Sequence, residues 1–446
     1  MPNIETAKKI IELCGSHQPE AAEVFLRSSV ATTVEVKDQK VDAFDRARGM
    51  GAGLRVLVGG RMGFAFTTDF SESALTALAE AAMANAQSTA VDPFQSLEAH
   101  PAGDVLPVAI YDADMVNLSE QEKIKGVMAM EREAFAVDAK IKRIRKASGS
   151  FSSSETIILN TRGAEVSYQG TACSASIEVV AEDSGESQAG WNFDVNRFYR
   201  NLDMNNVGRR AAHRALDLLG AKSIESVKAP VILDAPVAEE FLGLIAQGLS
   251  AENVQKKKSL LAGKLDQQVL SSSLSISDNG LLEGGMATAP SDDEGVPMQK
   301  KSVIEKGRLT LFLHNVYTAK KDKTASTGNG MRAGFKGVPG VGITNFHIEP
   351  GTQSLDELLK SAGTGLYVTE VMGAHTANPI SGDFSVGATG FWIEKGKRAY
   401  PVREITIAGN VLELMKNVIA VGKDLRFFGR IGSPSLLVKE LSIGGK

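Results

Sequence analysis

The sequence predicts an α+β chain: a duplicated strand, hairpin and helix unit in the N-terminal half, followed by a mainly antiparallel β domain with a few helices. Three observations lead there. Short β-prone runs bounded by Gly, Asn and Asp turns recur along the chain. The order strands, hairpin, helix occurs twice, over residues 22–87 and 140–220, as a duplication would produce. At 446 residues the chain is also longer than one core usually serves. The expected division is residues 1–222 and 226–446, with the polar stretch 221–229 at the boundary.

Ile4, Ala7, Ile11 and Cys14 recur at helical spacing, and Gly15 closes a helix over 4–14. Strand candidates follow at 22–29, 32–37, 41–48, 51–58 and 61–67, the last two joined by a Gly59-Gly60 turn. Leu75, Leu78, Ala82 and Ala86 mark the apolar face of a helix over 71–87. Residues 88–117, with Pro93, Pro101 and Pro107, lack periodicity and read as a connection across a surface. Ser119 and Glu122 form a capping box that opens the next helix. A second meander is expected over 140–147, 152–160, 164–180 and 188–193, with a turn at Asn160-Thr161-Arg162-Gly163. A helix over 204–219 then stops at Gly220.

The second half opens with a strand at 230–234 and a helix at 237–249 carrying Phe241, Leu242, Leu244, Ile245 and Leu249. A strand over 268–277 is expected to end in the turn Asp278-Asn279-Gly280, and 299–304 pairs with 308–312 around Glu305-Lys306-Gly307. A glycine-rich loop begins at Ser326, and a short helix fits 355–361. The stretch from Gly363 to Asn410 combines a β-prone run, a turn-rich link over Gly373–Gly382 and a hairpin around Glu394-Lys395-Gly396-Lys397. A helix at 411–418 and an edge strand at 436–441 complete the chain.

Composition excludes several classes. Lys plus Arg is 49 against 53 Asp plus Glu, a net charge of −4 without a long basic run, which argues against a direct nucleic-acid partner. Cys14 and Cys173 make neither a disulfide framework nor a CxxC metal pattern, as expected for a cytoplasmic protein. The N-terminus lacks the apolar core of a signal peptide, and no stretch reaches the roughly 18 apolar residues of a membrane span.

Chemistry is concentrated in two glycine-punctuated loops. Gly373, His375, Asn378, Gly382 and Asp383, with Ser326 and Gly328 of the second loop, are candidates for a peptide groove, because glycine lets another backbone approach closely. The same polar residues also suit turns that close on themselves. Asp292-Asp293-Glu294 lacks the spacing of a hard-cation ladder and reads as a hydrogen-bonded structural element. His347, His375 and Asp383 are a conceivable zinc set. No phosphate-binding Gly-Lys-Ser/Thr loop and no G-x-S-x-G nucleophile motif occurs.

The segments DDEG (292–295), STGN (326–329), GTGLYVTEVMG (363–373), SGDFSVGATGFWIEKG (381–396) and PVREITIAGN (401–410) resemble the TldD/PmbA family, once named for modulation of DNA gyrase. The resemblance runs over nearly the whole chain and is strongest from about Pro230. It implies a heterodimeric metallopeptidase system in which TldD-type chains bind zinc through a helical HExxxH motif and a cysteine near the C-terminus. Here Leu242, Gly243 and Gln247 stand at the motif positions, and FFGRIGSPSL (427–436) holds no cysteine. Those departures resemble the PmbA, or TldE, type. The resemblance therefore implies a subunit without catalytic or metal-ligating residues of its own, needing no cofactor. It would be a homodimer when alone, and would assist a zinc-loaded TldD-like partner in cleaving unfolded or small peptides. Two rival expectations are a self-contained metal-dependent peptidase using His347, His375 and Asp383, and a DNA gyrase-binding regulator.

Overall fold

The computed structural model describes residues 3–15, 17–97 and 106–446. Of the connection expected over 88–117, residues 98–105, Pro101 among them, lie outside those described. The first half runs α1 (Ile4–Gly15), β1 (Ala21–Lys37), β2 (Lys40–Val58), β3 (Arg61–Thr67), α2 (Glu72–Ser88), α3 (Ala113–Asn117), α4 (Glu120–Phe135), β4 (Ile141–Asn160), β5 (Glu165–Asp183), β6 (Glu186–Asn196) and α5 (Met204–Asp217).

All six strands share one antiparallel sheet in the order β3-β2-β1-β4-β5-β6. The two meanders therefore meet through their first strands, with Val30 opposite Ser153. Each third strand meets the following helix through a glycine. A Cβ at Gly63 of β3 would overlap the backbone of Ala82 and Ala86 on α2, and one at Gly190 of β6 would overlap Ala211 and Ala215 on α5. In both places a bare strand position lies against two alanines one helical turn apart, allowing helix and sheet to pack at backbone distance.

Several expected breaks are absent. The runs 22–29 and 32–37 form one strand, as do 41–48 with 51–58 and 140–147 with 152–160. The gaps left at 49–50 and 148–151 are bridged because paired neighbours keep the backbone extended: Gly49 faces Ser29, and Gly149 faces both Val34 and Ala175. The actual β1–β2 turn is Asp38-Gln39, both at positive φ, with their N–H groups donating to the buried Glu131 carboxylate. Turns at Gly59-Gly60 and Asn160–Gly163 and the Ser119–Glu122 capping box form as their local chemistry requires.

The second half contains β7 (Val227–Leu233), α6 (Ala235–Leu249), α7 (Ala251–Gln255), β8 (Ile276–Asn279), β9 (Lys300–Glu305), β10 (Arg308–Leu309), α8 (Val316–Asp322), β11 (Gly330–Met331), β12 (Gly340–Val341), β13 (Phe346–Ile348) and α9 (Leu355–Ala362). It continues through β14 (Gly365–Met372), β15 (Asp383–Glu394), β16 (Lys397–Asn410), α10 (Val411–Lys416), β17 (Val418–Val421), β18 (Arg426–Phe428), β19 (Ile431–Ser433) and β20 (Leu436–Gly444). Two six-stranded sheets result, β10-β9-β8-β13-β19-β18 and β16-β15-β14-β7-β20-β17. Most pairs are antiparallel, the exceptions being β7 with β14 and β13 with β19. A single apolar core joins Phe241, Leu242 and Ile245 of α6 to Val231 and Val368 of one sheet and Ile276 and Phe346 of the other. Burial of α6 among them explains its almost uninterrupted apolar run. No described helix is long and apolar enough to cross a membrane.

The strand expected over 268–277 is regular only from Ile276, and 308–312 only at Arg308–Leu309. Asp278 and Asn279 end β8 instead of forming a turn. Asp278 is fully buried, 3.0 Å from Lys301 Nζ, and accepts from the Thr344 N–H and hydroxyl, so its charge is matched within the sheet layer.

Candidate functional site

Helix α6 carries the motif positions, and the fold separates them. Leu242 is fully buried in the main core, whereas Gly243 and Gln247, one turn apart, line a cavity of about 350 Å³. The opposite wall is Leu313, Val341, Ile343 and Ile431. Ile431 belongs to the cysteine-free stretch 427–436, so the helix and the C-terminal segment singled out in the sequence do meet here. A Cβ on Gly243 would find Ile431 Cδ1 at 3.7 Å. Zinc sites are built from imidazole, thiolate and carboxylate. This lining offers one carboxylate, Glu252, ion-paired with Lys256, and no imidazole or thiolate, so its residues do not fit a zinc ion.

Toward the N-terminus of α6, one turn before Gly243, stands the half-buried Glu239. Burial pushes this carboxyl up to about 7, with Glu240 adding repulsion.

The rival zinc set is not assembled. His347 is buried on β13, with Nδ1 3.2 Å from the Asn345 carbonyl and its ring against Phe427, while His375 lies exposed in the link after β14 and Asp383 exposed at the start of β15. Among the described residues no three His, Cys, Asp or Glu side chains are placed to share one metal.

The groove candidates are largely committed to their own loops. Asn378 accepts from the Ile380 and Ser381 N–H groups, and Asp383 accepts from Asn410 Nδ2 at 2.9 Å. Gly382 sits at φ +84°, where a Cβ would press on Val411 and Asn410, and Gly373 sits at φ +86°. These glycines are needed for turn geometry. His375 remains exposed. In the second loop Ser326 Oγ donates to the His314 carbonyl and accepts from the Gly328 N–H. Gly328, at φ +70°, has no room for a Cβ beside the Pro297 carbonyl. None of these residues lines the cavity beside α6.

The acids at 292–294 are structural. Asp292 accepts from the N–H groups of Glu294, Val296 and Gly330 at 2.8–2.9 Å. Glu294 accepts from Arg55 of the N-terminal sheet and from the Val316 N–H. Arg332 pairs with Glu23 of β1, and Glu23 with Arg55, completing a buried network between the two halves. Burial raises both Asp292 and Glu294, with Arg55 opposing the rise in Glu294. Sequence reading missed the Val341 and Ile343 wall, which lies in a glycine-rich segment without periodicity.

The chain matches the models for PmbA/TldA metallopeptidase domain 1 over residues 22–86, the central domain over 115–219 and the C-terminal domain over 226–445. It is 31% identical to the metalloprotease PmbA of Escherichia coli O157:H7, covering 99% of this chain and 98% of that one. It is 28% identical to the TldD homolog of Haemophilus influenzae over 89% of this chain and 86% of that one. A Thermotoga maritima structure carrying a DNA gyrase modulator name superposes with a TM-score of 0.91 at 30% identity, covering 99% of this chain and all of that one. TldE of Thermococcus kodakarensis shares the fold, with a TM-score of 0.90 at 24% identity and the same coverage. With all three domain models in order and such relatives along its full length, this chain belongs to the TldD/PmbA family.

Proposed function

We propose that this chain is a PmbA/TldE-type subunit, without peptidase activity alone, that helps a TldD-like partner carry out zinc-dependent cleavage of unfolded or small peptides in the cytosol. The observation that carries the reading is the cavity beside α6. Helix and C-terminal strand converge there, yet Gly243, Gln247 and Ile431 occupy the wall and Leu242 is turned into the core. With no imidazole or thiolate in that wall, nothing in it would hold a metal to lower the pKa of an attacking water. The space suits an apolar side chain of an extended peptide, and zinc would reside in the partner. The lone chain is a homodimer in this reading, and its buried thiols Cys14 and Cys173, pushed up to about 11 and about 12 by burial, are unreactive.

The test is peptide cleavage by the purified chain, by a TldD-type subunit and by both, with zinc measured in each. Cleavage and zinc confined to preparations containing the TldD-type subunit, with faster cleavage by the pair, are expected. Stoichiometric zinc and cleavage in this chain alone would sink the proposal.

A further inference from the structure

One face of the first sheet lies against the second half of the chain, and two arginines converge there from opposite sides. Side chains alternate along β1, so Glu23, Phe25 and Arg27 share a face. Ala22, Val24 and Leu26 point the other way, into the core with α1 and α2. Glu23 pairs with Arg332, whose guanidinium lies 5.0 Å from the centre of the Phe25 ring, so the face carrying Arg27 is the one that meets the second half. Arg27 stands opposite Thr156 of β4, which stands opposite Tyr168 of β5, and the three form one row across the sheet. Arg430 comes from the turn between β18 and β19. Its Nη1 lies 3.5 Å from the Ile343 carbonyl, and its neighbour Ile431, like Ile343, lines the cavity beside α6.

Both arginines act on the same two buried groups. Burial raises the Asp293 carboxyl, opposed by the Arg332 N–H that it accepts at 2.7 Å and by the charges of Arg332, Arg27 and Arg430. Burial lowers Arg197, and Arg27 and Arg430 lower it further. Arg197 is fully committed, donating to the carbonyls of Thr171, Gly285, Met286 and Thr288. Arg27 and Arg430 are not. Both are exposed, and among the described residues neither guanidinium makes an ion pair; that of Arg27 makes no hydrogen bond either.

Two guanidiniums without a counter-charge, beside a cavity with an apolar wall, suit an anion joined to an apolar group. We propose that Arg27 and Arg430 hold the terminal carboxylate of a peptide whose apolar side chain enters the cavity beside α6. The inference rests on the reading that this chain helps to hold the substrate, and names the end that it holds. A guanidinium presents paired N–H donors that match the two oxygens of a carboxylate. One arginine stands on each half of the chain, so the carboxylate is gripped between them. Anchoring by the terminus also fixes the register of the peptide, so a zinc-loaded partner should cut at a set distance from the C-terminus.

The test is fluorescence anisotropy of an unstructured peptide labelled at its N-terminus and ending in leucine, as the free acid and as the C-terminal amide. Each is titrated with this chain alone and with a TldD-type subunit added. The acid should bind about tenfold tighter than the amide, or more. R27Q and R430Q, each checked for folding by thermal melting, should bring the acid close to the amide and leave the amide unchanged. An amidated peptide ending in glutamate should bind like the other amide, which tells a side-chain carboxylate from the terminal one. No binding, acid and amide of equal affinity, a glutamate amide as tight as the acid, or variants that weaken acid and amide alike would each overturn the site. Cleavage separates this from the subunit reading. A pair that cleaves acid and amide equally, after equal binding, keeps that reading and loses the site. A pair that neither assembles nor cleaves sinks the reading, while acid and amide binding to this chain alone still decides the site.

Discussion

Arg55 on β2 donates through both terminal nitrogens to one oxygen of Glu294, each at 3.1 Å, across 239 residues of sequence. Both side chains are almost fully buried, at 6% and 1% exposure. Removing one partner of such a pair strands a buried charge, so Glu294→Ala should cost about 3–5 kcal/mol. Arg55→Ala combined with Glu294→Ala should cost less than the sum of the two, because the residues are in contact. Urea denaturation of the two single variants and the double variant measures this. Strict additivity would show that the pair does not couple the halves.

The two helix–strand contacts at Gly63 and Gly190 are predicted to behave alike. A methyl group at either position meets helix backbone, not a movable side chain. Gly63→Ala and Gly190→Ala should each destabilise by about 2–3 kcal/mol, as overpacking does. The positions lie at opposite edges of the sheet, so the costs should add in the double variant to within about 0.5 kcal/mol. Thermal melts of the three variants decide, and a neutral effect at either glycine would mean that helix and strand are not in backbone contact there.

Local chemistry made much of the fold legible. Gly59-Gly60, the Asn160 turn and the Ser119–Glu122 box each carry their own backbone requirement, so they read correctly from a few residues. Strand continuity did not, because Gly49 and Gly149 look like punctuation in sequence yet are held extended by strands distant in the chain. Asp278-Asn279-Gly280 is a turn by composition and a strand end in fact, since Lys301, 23 residues later, neutralises Asp278. At the candidate site the α6 positions were findable from the resemblance, but their orientation was not. That Leu242 faces the core while Gly243 and Gln247 face a cavity depends on how α6 rolls between two sheets.

Glu239 should make stability pH-dependent. Its folded-state pKa lies above the ordinary carboxylate value, at about 7, because burial disfavours the charged form. The folded chain therefore binds a proton that the unfolded chain has released. The corresponding stability is complete below the unfolded pKa of about 4.5 and is lost as pH rises through about 7. Relative to Glu239→Gln, the parent should lose on the order of 2 kcal/mol between roughly pH 5 and pH 8. Parallel urea titrations of parent and variant cancel the contributions of the other buried acids. Parent and variant curves that stay parallel over this range would exclude the effect.

The cavity beside α6 makes its own prediction about metal. Gly243 and Gln247 are one turn apart on the helix and Ile431 faces them, so Gly243→His, Gln247→His and Ile431→Cys together would present two imidazoles and a thiolate to one space. Three such ligands leave a fourth position for water, and the triple variant should bind zinc where the parent does not. Without groups arranged to hold the new imidazoles, affinity should fall about 10–100-fold below that of a natural site. Leu242→His is the informative control. Its side chain points into the core, so that substitution should cost about 3 kcal/mol or more of stability. Paired with Gln247→His, it should add no zinc affinity. Competition against a chromophoric chelator reads both variants. If Leu242→His with Gln247→His bound zinc as tightly as the triple variant, the helix would have to be rolled differently and the cavity would not be the counterpart of a metal site.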